Sequence, residues 1–501
     1  MNTRARLRIL DFALWLSIAG QLSACPRGSS PPSAKPDASV PQQDAGSAPT
    51  PEPDAASAQV ETAAGHDAGI VLDGATAGPD AMADAAGTET SPSSCTSELA
   101  ALETQMTAIL SEATVTSQAG QAAPAPAFTV LLQRDDGRGY LFSKADSTQD
   151  TSYQSASTSK VVSATIILSL VDRGVLSLDD HPQKYIPWPA SGEASQITLR
   201  QLLAFVSGLN NDPPATQSLG GKDYTCIDVP PSFSTYVPWD ECVAQILAAN
   251  FDSDGSVARG GGSKATAPGA AFFYSSNHLQ VAGAMAIAAV KQAGITDAST
   301  GVALSTWTDI FADYQKRTGL FGHSAYDLPS ATNPRLAGGM HWTANDYRDF
   351  LLALYRNQAP SGVAMLSTAA RAELFADQRA DAVVLSSPVL DAIGEDWHYS
   401  LGNWVECPLL AGATQSSCLA AGGNWYTYQQ QQQCCVPLDR HSSPGAYGSY
   451  PFIDEVHHYI GILATMIQDG GFRQGLSIFR QLGDLADRWA QQRCPVGDTA
   501  P

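Results

Sequence analysis

Residues 153–180, YQSASTSKVVSATIILSLVDRGVLSLDD, decide the fold that this sequence predicts. Behind Ser157 lies an apolar run that ends at Gly174, where a helix takes a left-handed C-terminal residue. The run contains Val161, Val162, Ile166, Leu168, Leu170 and Val171. The pattern predicts a helix of about four turns that is apolar nearly all round and therefore central, with Ser157 on its first turn.

Ser157 and Lys160 are the candidate reactive pair of this helix. Their spacing of three residues puts both side chains on one face, so the amine can reach the hydroxyl. Near a helix N-terminus the backbone N–H groups favour developing negative charge, and a lysine kept from water loses its proton more easily. Because one SxxK match arises by chance in a chain this rich in serine, the motif alone leaves open a capped core helix with a solvent-reaching lysine.

Composition divides the 501 residues unevenly. The net charge is −21 and no basic patch stands out, which argues against nucleic acid as a partner. Residues 26–94 consist mainly of Ala, Pro, Asp, Ser and Gly, and they cannot bury enough apolar surface to offset the entropy of ordering. We therefore expect a disordered tether over 26–94 and one folded domain over 95–498.

The N-terminus predicts export. Three arginines precede an apolar run over residues 9–19, interrupted by Asp11, and Leu-Ser-Ala-Cys follows at 22–25. That tetrapeptide resembles a bacterial lipobox, which implies a signal peptide over 1–25 and a lipid anchor on Cys25. Because Pro26 follows the cysteine, the resemblance further implies the outer membrane, with the domain facing the periplasm or the cell surface. The alternative is an ordinary cleaved signal in which Cys25 is incidental.

Eight further cysteines predict disulfides. An even number in an exported protein favours cystines over metal ligation, and no CxxC pair or HExxH motif is present. We therefore expect no metal and no cofactor. The expected pairs are Cys226 with Cys242, pairs within the cluster of Cys407, Cys418, Cys434 and Cys435, and Cys95 with Cys494 across the two ends of the domain.

The rest of the folded part alternates predicted helices and strands. The order is an amphipathic helix from Leu99 to Leu110, a hairpin with strands at 128–133 and 140–142, a segment at 197–209, a turn and helix over 268–287, a helix entered through Thr343, a strand over 399–406, glycine-punctuated strands over 440–468 and a closing helix over 476–489. Cysteine-bearing insertions are expected at 210–262 and 407–440. The glutamine run 429–433 predicts a loop tip.

Five segments agree in order with one family. SxxK at 157–160 is followed by LLAFVSGL at 202–209, by PG with YSS at 268–276, by AGGMHWTANDYRDFLLAL at 337–354 and by YSLGNWVE at 399–406. Over roughly 125–490 the sequence resembles the serine beta-lactamase-like hydrolases, which include class C beta-lactamases, D-alanyl-D-alanine carboxypeptidases and related esterases and amide hydrolases. The resemblance implies an α+β fold, in which an antiparallel sheet flanked by helices lies beside an all-helical lobe, with the active site between them.

The resemblance assigns Ser157 as the nucleophile, Lys160 as its partner and Tyr274 as the tyrosine of the YxN motif. A serine hydroxyl is a poor nucleophile at pH 7 and needs a base within hydrogen-bond reach. The sequence leaves open whether Lys160 or Tyr274 takes the proton. It also leaves open that Tyr274, which follows two phenylalanines, is a core aromatic.

The second motif departs from the YxN pattern. Its third position is Ser276, and Asn277 comes one residue late. We expect Ser276 or Asn277 to supply the substrate-binding hydrogen bond, with helix capping as the alternative for Ser276.

The third motif departs further, because Ser443-Pro444-Gly445 stands where the family has Lys-Thr-Gly or His-Thr-Gly. The cation helps to hold a substrate carboxylate in the family, and its absence argues against efficient turnover of beta-lactams and D-Ala peptides and favours esters or amides without that carboxylate. His441, two residues upstream, is a partial replacement if the strand is regular, or else an exposed loop histidine. The backbone N–H groups of Ser157 and Ala446 are the oxyanion donors that the resemblance implies.

These observations predict a serine hydrolase that cleaves a small ester or peptide-like amide through an acyl-serine intermediate. Beta-lactams and D-Ala peptides remain within the substrate class, although esters and other amides are favoured. The competing hypothesis is a catalytically weak envelope protein that keeps the fold to bind peptidoglycan fragments. The altered second and third motifs are its main support.

Overall fold

The computed structural model describes residues 92–117, 120–219, 222–228, 237–260, 262–297, 299–379, 382–467 and 470–494. The predicted signal peptide, Cys25 and nearly all of the predicted tether lie outside this range. The first helix begins at Pro92, three residues before the predicted start of the domain. The helices are α1 (Pro92–Ser111), α2 (Ser159–Asp172), α3 (Leu199–Leu203), α4 (Trp239–Asn250), α5 (Ser276–Gln292), α6 (Trp307–Thr318), α7 (Ala344–Arg356), α8 (Thr368–Phe375), α9 (Pro388–Ile393), α10 (Gln415–Ala420), α11 (Arg473–Arg480) and α12 (Leu485–Gln491).

The strands pair mainly in antiparallel fashion. They are β1 (Thr114–Thr116), β2 (Ala122–Pro124), β3 (Phe128–Arg134), β4 (Gly139–Lys144), β5 (Ser152–Gln154), β6 (Gln217–Leu219), β7 (Lys222–Tyr224), β8 (Ala271–Phe273), β9 (Ala325–Tyr326), β10 (Met340–Thr343), β11 (Val383–Ser386), β12 (His398–Tyr399), β13 (Trp404–Val405), β14 (Asn424–Tyr428), β15 (Gln431–Cys435), β16 (Arg440–Ser442), β17 (Tyr450–Asp454) and β18 (Tyr459–Thr465). Only β8 and β11 pair in parallel among these strands.

A seven-stranded antiparallel sheet forms the centre of the α+β fold, in the order β12-β13-β16-β17-β18-β3-β4. Strands β3 and β4 are the predicted hairpin. Every residue of β18 is buried, and both α7 and α11 pack against it, so the middle of the sheet is covered on both faces. Such a strand is a continuous apolar run, which is why YIGILAT lacks alternation.

Helix α2 is buried from Ser159 to Leu170, as its apolar sequence predicts. It packs against α5, which also contacts α3, α4 and α6, so these helices form the helical part of the fold. One detail differs from the prediction. Ser157 does not lie in the α-helix but in a single 3₁₀ turn, Ala156–Thr158, that leads directly into α2.

Two predicted elements are each divided. The expected strand over 399–406 is the hairpin β12–β13, because the Ser400 N–H donates to the Asn403 carbonyl and Gly402, with φ 77°, closes the turn. A Cβ at Gly402 would lie 2.8 Å from the Lys160 carbonyl oxygen, so this turn packs directly on α2. The expected closing helix is α11 and α12. The apolar periodicity did not reveal the break between α11 and α12, because both helices bury apolar residues.

Four disulfides confirm the predicted pairing. They join Cys95 to Cys494, Cys226 to Cys242, Cys407 to Cys435 and Cys418 to Cys434. The last two fix the 407–440 insertion, where the hairpin β14–β15 turns at Gln429 and Gln430. The glutamine run is thus a loop tip in its first two residues and a strand in the rest. Within the described ranges, no helix combines the length and apolarity that crossing a bilayer requires.

Candidate active site

The turn that carries Ser157 is held by the pairing of β5 with β10. The Ser155 N–H donates to the Met340 carbonyl at 2.8 Å, and the Met340 N–H donates to Ser155 Oγ at 3.1 Å. The next residue, Ala156, has a φ of 43°, a left-handed conformation that non-glycine residues rarely adopt. This strained residue turns the chain sharply from the strand into the helix and sets Ser157 at the corner.

Lys160 lies directly against the Ser157 hydroxyl. Its Nζ is 2.8 Å from Ser157 Oγ and 2.8 Å from the carbonyl oxygen of Ala337, to which it donates. Only 3% of the lysine is exposed. Burial lowers the pKa of Lys160 well below its ordinary value, and the nearby positive charge of Arg335 lowers it further. The amine is therefore suited to accept a proton from Ser157.

Tyr274 completes the group around Ser157. It follows β8, and its ring centroid lies 4.6 Å from Lys160 Nζ. Burial raises the pKa of Tyr274 above its ordinary value, while side-chain hydrogen bonds with Ser157 and Trp404 act in the opposite direction. The phenol therefore stays protonated at neutral pH. Its ring also stacks on Trp404 at 5.2 Å, so it is both a packed aromatic and a neighbour of Ser157.

The three residues after Tyr274 have different tasks. Ser275, not Ser276, caps helix α5, since its hydroxyl accepts a hydrogen bond from the Asn277 N–H. Ser276 lines the cavity around Ser157. Asn277, expected at the substrate, is completely buried elsewhere and donates to the carbonyls of Leu209 and Asn211. Asn277 thus fixes the start of the 210–262 insertion, because an amide one residue late on the helix points away from the cavity.

The third motif approaches Ser157 through its backbone and a hydroxyl. Ser443 Oγ donates to the Ser157 carbonyl at 3.0 Å. A Cβ at Gly445 would lie 2.7 Å from the Ser155 carbonyl oxygen, so only glycine permits this approach. The next residue, Ala446, lines the cavity. Neither its N–H nor that of Ser157 has a hydrogen-bond partner among the described residues, which leaves both free to bind an oxyanion.

These groups face one cavity of about 340 Å³, a size typical of small-molecule sites. Its walls come from the Ser157 turn with α2, from the β8–α5 junction, from the loop between β9 and β10, and from the turn between β16 and β17. The lining residues are Gln154, Ala156, Ser157, Lys160, Tyr274, Ser275, Ser276, Leu328, Pro329, Arg335, Ala337, Gly338, Gly339, Ala446 and Tyr447.

Comparison with known proteins places the chain in a family. The family model described as beta-lactamase matches residues 130–474. The chain belongs to the beta-lactamase family. Protein flp of Staphylococcus aureus (strain MRSA252) is 31% identical over 103 residues, which are 20% of this chain and 21% of that protein. The match thus spans about a fifth of the relative's length.

One solved structure supports the beta-lactamase fold. A "putative beta-lactamase" from Bacteroides dorei DSM 17855 shares 22% identity with a TM-score of 0.51, and the match covers 78% of this chain and 98% of that one. A D-stereospecific amidohydrolase from Streptomyces sp. shares 16% identity with a TM-score of 0.46, covering 77% of this chain and 98% of the other. At 22% identity the likeness to the Bacteroides protein concerns the fold alone.

The third motif of this beta-lactamase family member lacks a cation, and His441 does not replace it. It lies in β16, but its side chain is buried against Phe375, and its Nδ1 lies 3.2 Å from Asn403 Oδ1. Burial lowers the pKa of His441 to about 4, with a further effect of the Arg371 charge. The histidine is thus neutral at pH 7 and outside the cavity lining, and the expected substrate contact is not made.

Sequence reasoning missed four polar residues of the cavity, namely Gln154, Ser275, Arg335 and Tyr447. Gln154 ends a three-residue strand, and Tyr447 follows Ala446 in a turn. Arg335 precedes the Ala337-Gly338-Gly339 segment that carried the family resemblance. Its position immediately beside a matched motif was the available signal, because loops that border a motif tend to face the same site.

One group of potential metal ligands occurs in the described part of the chain. Ligand atoms of Asp454, His457 and Asp487 lie within 4.8 Å of one another. The guanidinium of Arg440 already pairs with both carboxylates. These acids therefore have a cation of their own, and the group does not border the cavity.

Proposed function

We propose that this protein is a serine hydrolase that cleaves an ester or amide through a covalent acyl-Ser157 intermediate. Membership of the beta-lactamase family makes it a member of a hydrolase family. The observation that carries the finer proposal is the 2.8 Å contact between Ser157 Oγ and a buried Lys160 amine whose pKa is lowered. A neutral amine at this distance is the base that a serine nucleophile needs.

In the acylation step, Lys160 takes the Ser157 proton while Oγ forms a bond to the substrate carbonyl carbon. The carbonyl oxygen gains negative charge, which the N–H groups of Ser157 and Ala446 stabilise. Collapse of this intermediate breaks the bond to the leaving group. The proton that the leaving group takes up comes from protonated Lys160, either directly or through Tyr274, which gives up its own proton and is reprotonated by Lys160; both groups lie beside Ser157.

In the second step, water releases the acyl group. Lys160, neutral again, takes a proton from the water as its oxygen attacks the acyl carbon, and Ser157 Oγ leaves and recovers its proton. We assign Lys160 rather than Tyr274 as the base, because the phenol pKa is raised and the amine pKa is lowered. Tyr274 then acts as a hydrogen-bond and proton donor.

We favour esters and short amides over beta-lactams. At the third motif, Ser443 is buried and its hydroxyl is committed to the Ser157 carbonyl, so it offers no positive charge to a carboxylate. A substrate held by the family's usual carboxylate contact would lack that contact here. His441, being buried and neutral at pH 7, does not supply it.

The kinetic test uses 4-nitrophenyl butyrate and a chromogenic cephalosporin. We expect turnover of the ester with a burst of 4-nitrophenolate that equals the enzyme concentration if deacylation is slower, and a lower kcat/KM for the cephalosporin. Ser157→Ala should abolish turnover. Ser169→Ala is the matched control, since Ser169 lies on the same helix and its hydroxyl bonds only to the Ile166 carbonyl. Equal turnover by Ser157→Ala would contradict the proposal, and faster cephalosporin hydrolysis would contradict the substrate preference.

Export and lipid anchoring at Cys25 remain predictions, because those residues lie outside the described ranges. Four disulfides are compatible with an oxidising compartment. Palmitate labelling of expressing bacteria should mark the wild-type chain and not Cys25→Ser. Labelling of both chains alike would contradict the anchor.

A further inference from the structure

Arg335 is a charged group of the cavity to which the proposed mechanism gives no substrate contact. Two residues with basic side chains, Lys160 and Arg335, line the cavity, and no Asp or Glu is among the lining residues. Lys160 is buried and held against Ser157, whereas an arginine keeps its charge at any working pH. Among the lining residues, Arg335 therefore supplies the permanent charge.

The backbone of Arg335 is fixed. Its N–H donates to the Leu328 carbonyl at 2.9 Å, and its carbonyl accepts from the Gly338 N–H at 3.1 Å and the Gly339 N–H at 2.6 Å. Two residues later, the Ala337 carbonyl accepts from Lys160 Nζ. The segment that holds the guanidinium is thus tied to the catalytic lysine, so the charge has a defined place beside the reacting groups.

The guanidinium is incompletely satisfied. One end pairs with Asp228, but both side chains of this pair are about a third exposed, 35% and 36%. Such a pair is screened by water and exchanges readily for another anion. Moreover, Arg335 Nε is buried and has no hydrogen-bond partner among the described residues. A buried donor without a partner is costly, and a ligand oxygen would satisfy it.

We propose that Arg335 binds an anionic group of the substrate, so that this site takes esters or amides bearing a carboxylate. The inference rests on the proposed serine hydrolase function and adds its substrate class. A carboxylate matches the planar guanidinium and can bond two of its N–H groups at once. The incoming carboxylate displaces Asp228, and the guanidinium, released from that pair, turns so that Nε can donate to it.

The carboxylate could belong to the acyl part or to the leaving group. In either case the cation comes from the loop between β9 and β10, and not from the turn between β16 and β17, where the third motif lies. Arg335 therefore holds the anion from one wall of the cavity, whereas a cation in the third motif would hold it from another wall. This agrees with a preference for carboxylate-bearing esters and amides that are not beta-lactams.

The kinetic experiment compares two matched pairs of substrates. The first pair places the carboxylate on the acyl part: the anionic mono-4-nitrophenyl ester of adipic acid is compared with the neutral 4-nitrophenyl hexanoate. The second pair places it on the leaving group: the anionic 3-carboxyphenyl acetate is compared with the neutral 3-carbamoylphenyl acetate. We expect the wild type to prefer the anion of one pair by about 10- to 100-fold in kcat/KM, and Arg335→Gln to lose that preference. The ratio cancels any effect on Lys160 that both substrates share. Asp228→Asn should increase the preference, because it frees Arg335.

Arg138→Gln is the matched control, since Arg138 is a partly exposed arginine paired with Glu103 and lies outside the cavity lining. It should leave both ratios unchanged. If Arg335→Gln slows the anionic and neutral substrates of both pairs equally, Arg335 is not an anion site and the proposal is overturned.

A binding measurement separates this inference from the hydrolase proposal. Calorimetric titration of Ser157→Ala with the carboxylate and carbamoyl phenyl acetates, and with adipate and hexanoate, requires no turnover. We expect at least tenfold tighter binding of one anion than its matched partner, lost in Ser157→Ala/Arg335→Gln. If wild-type turnover is absent but this difference persists, the hydrolase proposal fails and the anion site stands. If neither ratio depends on Arg335, the anion site fails even when the esters are hydrolysed.

Discussion

A loop and a turn approach the Ser157–Lys160 pair from different parts of the fold. Each contacts a different residue of the pair. The loop 335–339 contacts Lys160, through the Ala337 carbonyl and through the Arg335 charge. The turn 443–446 contacts the backbone around Ser157, through the Ser443 hydroxyl and the close approach of Gly445. In the proposed mechanism, the first segment thus acts on the base, Lys160, and carries a charge, whereas the second positions the nucleophile, Ser157, and its oxyanion site.

The two segments also differ in the charge that they carry. The turn retains the glycine that the close approach requires, although the cation of the third motif is replaced by Ser443. The charge present in the cavity belongs to Arg335, on the other segment. The division can be tested by perturbing each side separately.

The largest effect on kcat/KM is expected for Lys160→Met, which removes the amine that the loop 335–339 contacts. Loss of the base should lower kcat/KM for 4-nitrophenyl butyrate by on the order of 10³-fold. Lys184→Met is the control, because that lysine lies on the surface in a pair with Asp180. A tenfold loss or less in Lys160→Met, with the fold intact by circular dichroism, would show that another group is the base.

Gly445→Ala should perturb the turn side. The added Cβ would lie 2.7 Å from the Ser155 carbonyl oxygen, so the turn must move away from Ser157. We expect kcat to fall by about 10- to 100-fold because the Ala446 N–H is displaced from the oxyanion. Steady-state kinetics of Gly322→Ala gives the control, since a Cβ there meets no atom within 4 Å. An unchanged kcat in Gly445→Ala would argue against an oxyanion donor in this turn.

Ser443→Ala tests the hydroxyl of the same turn with a smaller change. Its bond to the Ser157 carbonyl should contribute about 1 kcal/mol to stability, and its loss should lower kcat by about three- to tenfold. Ser449→Ala also removes a buried hydroxyl, which donates to the Thr465 carbonyl and accepts from the Thr465 N–H. We expect urea unfolding to report a loss for Ser449→Ala at least as large as that for Ser443→Ala, with a decrease of kcat only for Ser443→Ala. Equal kcat values would remove Ser443 from the positioning of Ser157.

His441→Phe tests whether the buried histidine near the turn matters only for stability. Its folded pKa of about 4 lies below the ordinary value of 6.5, so the unfolded chain binds more protons between these values. Stability is therefore lost as the pH falls from 6.5 to 4, by about 3 kcal/mol from this residue. Urea unfolding should show a correspondingly smaller acid loss in the variant, and kcat/KM at pH 7 should change less than threefold. Parallel stability curves, or a tenfold loss of activity, would contradict this assignment.

The sequence predicted what local pattern and motif order determine. The buried α2, the hairpin β3–β4, the Thr343 cap of α7 and the disulfides Cys95–Cys494 and Cys226–Cys242 were predicted, whereas the pairing among Cys407, Cys418, Cys434 and Cys435 was left open. The sequence did not predict that the strand at 399–406 is divided. Tyr399 and Trp404 are both apolar, and the turn between them depends on the packing of Gly402 against α2. Apolar pattern alone does not distinguish a continuous strand from two short ones.

At the site, motif spacing predicted residues that the structure brings together, and it failed where side-chain direction decides. Ser157, Lys160, Tyr274, Ser276 and Ala446 share one cavity. His441 and Asn277 do not, because the burial of a strand face and the rotation of one residue along a helix turn them elsewhere. Arg335 could not be found from spacing, since its place depends on how the loop between β9 and β10 folds over Lys160.

The most direct test of the central claim is mass spectrometry of the intact protein after treatment with a fluorophosphonate probe, followed by peptide mapping. If Ser157 is the activated nucleophile, the wild type should gain one phosphonyl group, located on the peptide that contains Ser157, and Ser157→Ala should gain none. Failure of the folded wild type to react, or equal labelling of Ser157→Ala, would contradict the account and favour a protein that binds without hydrolysing.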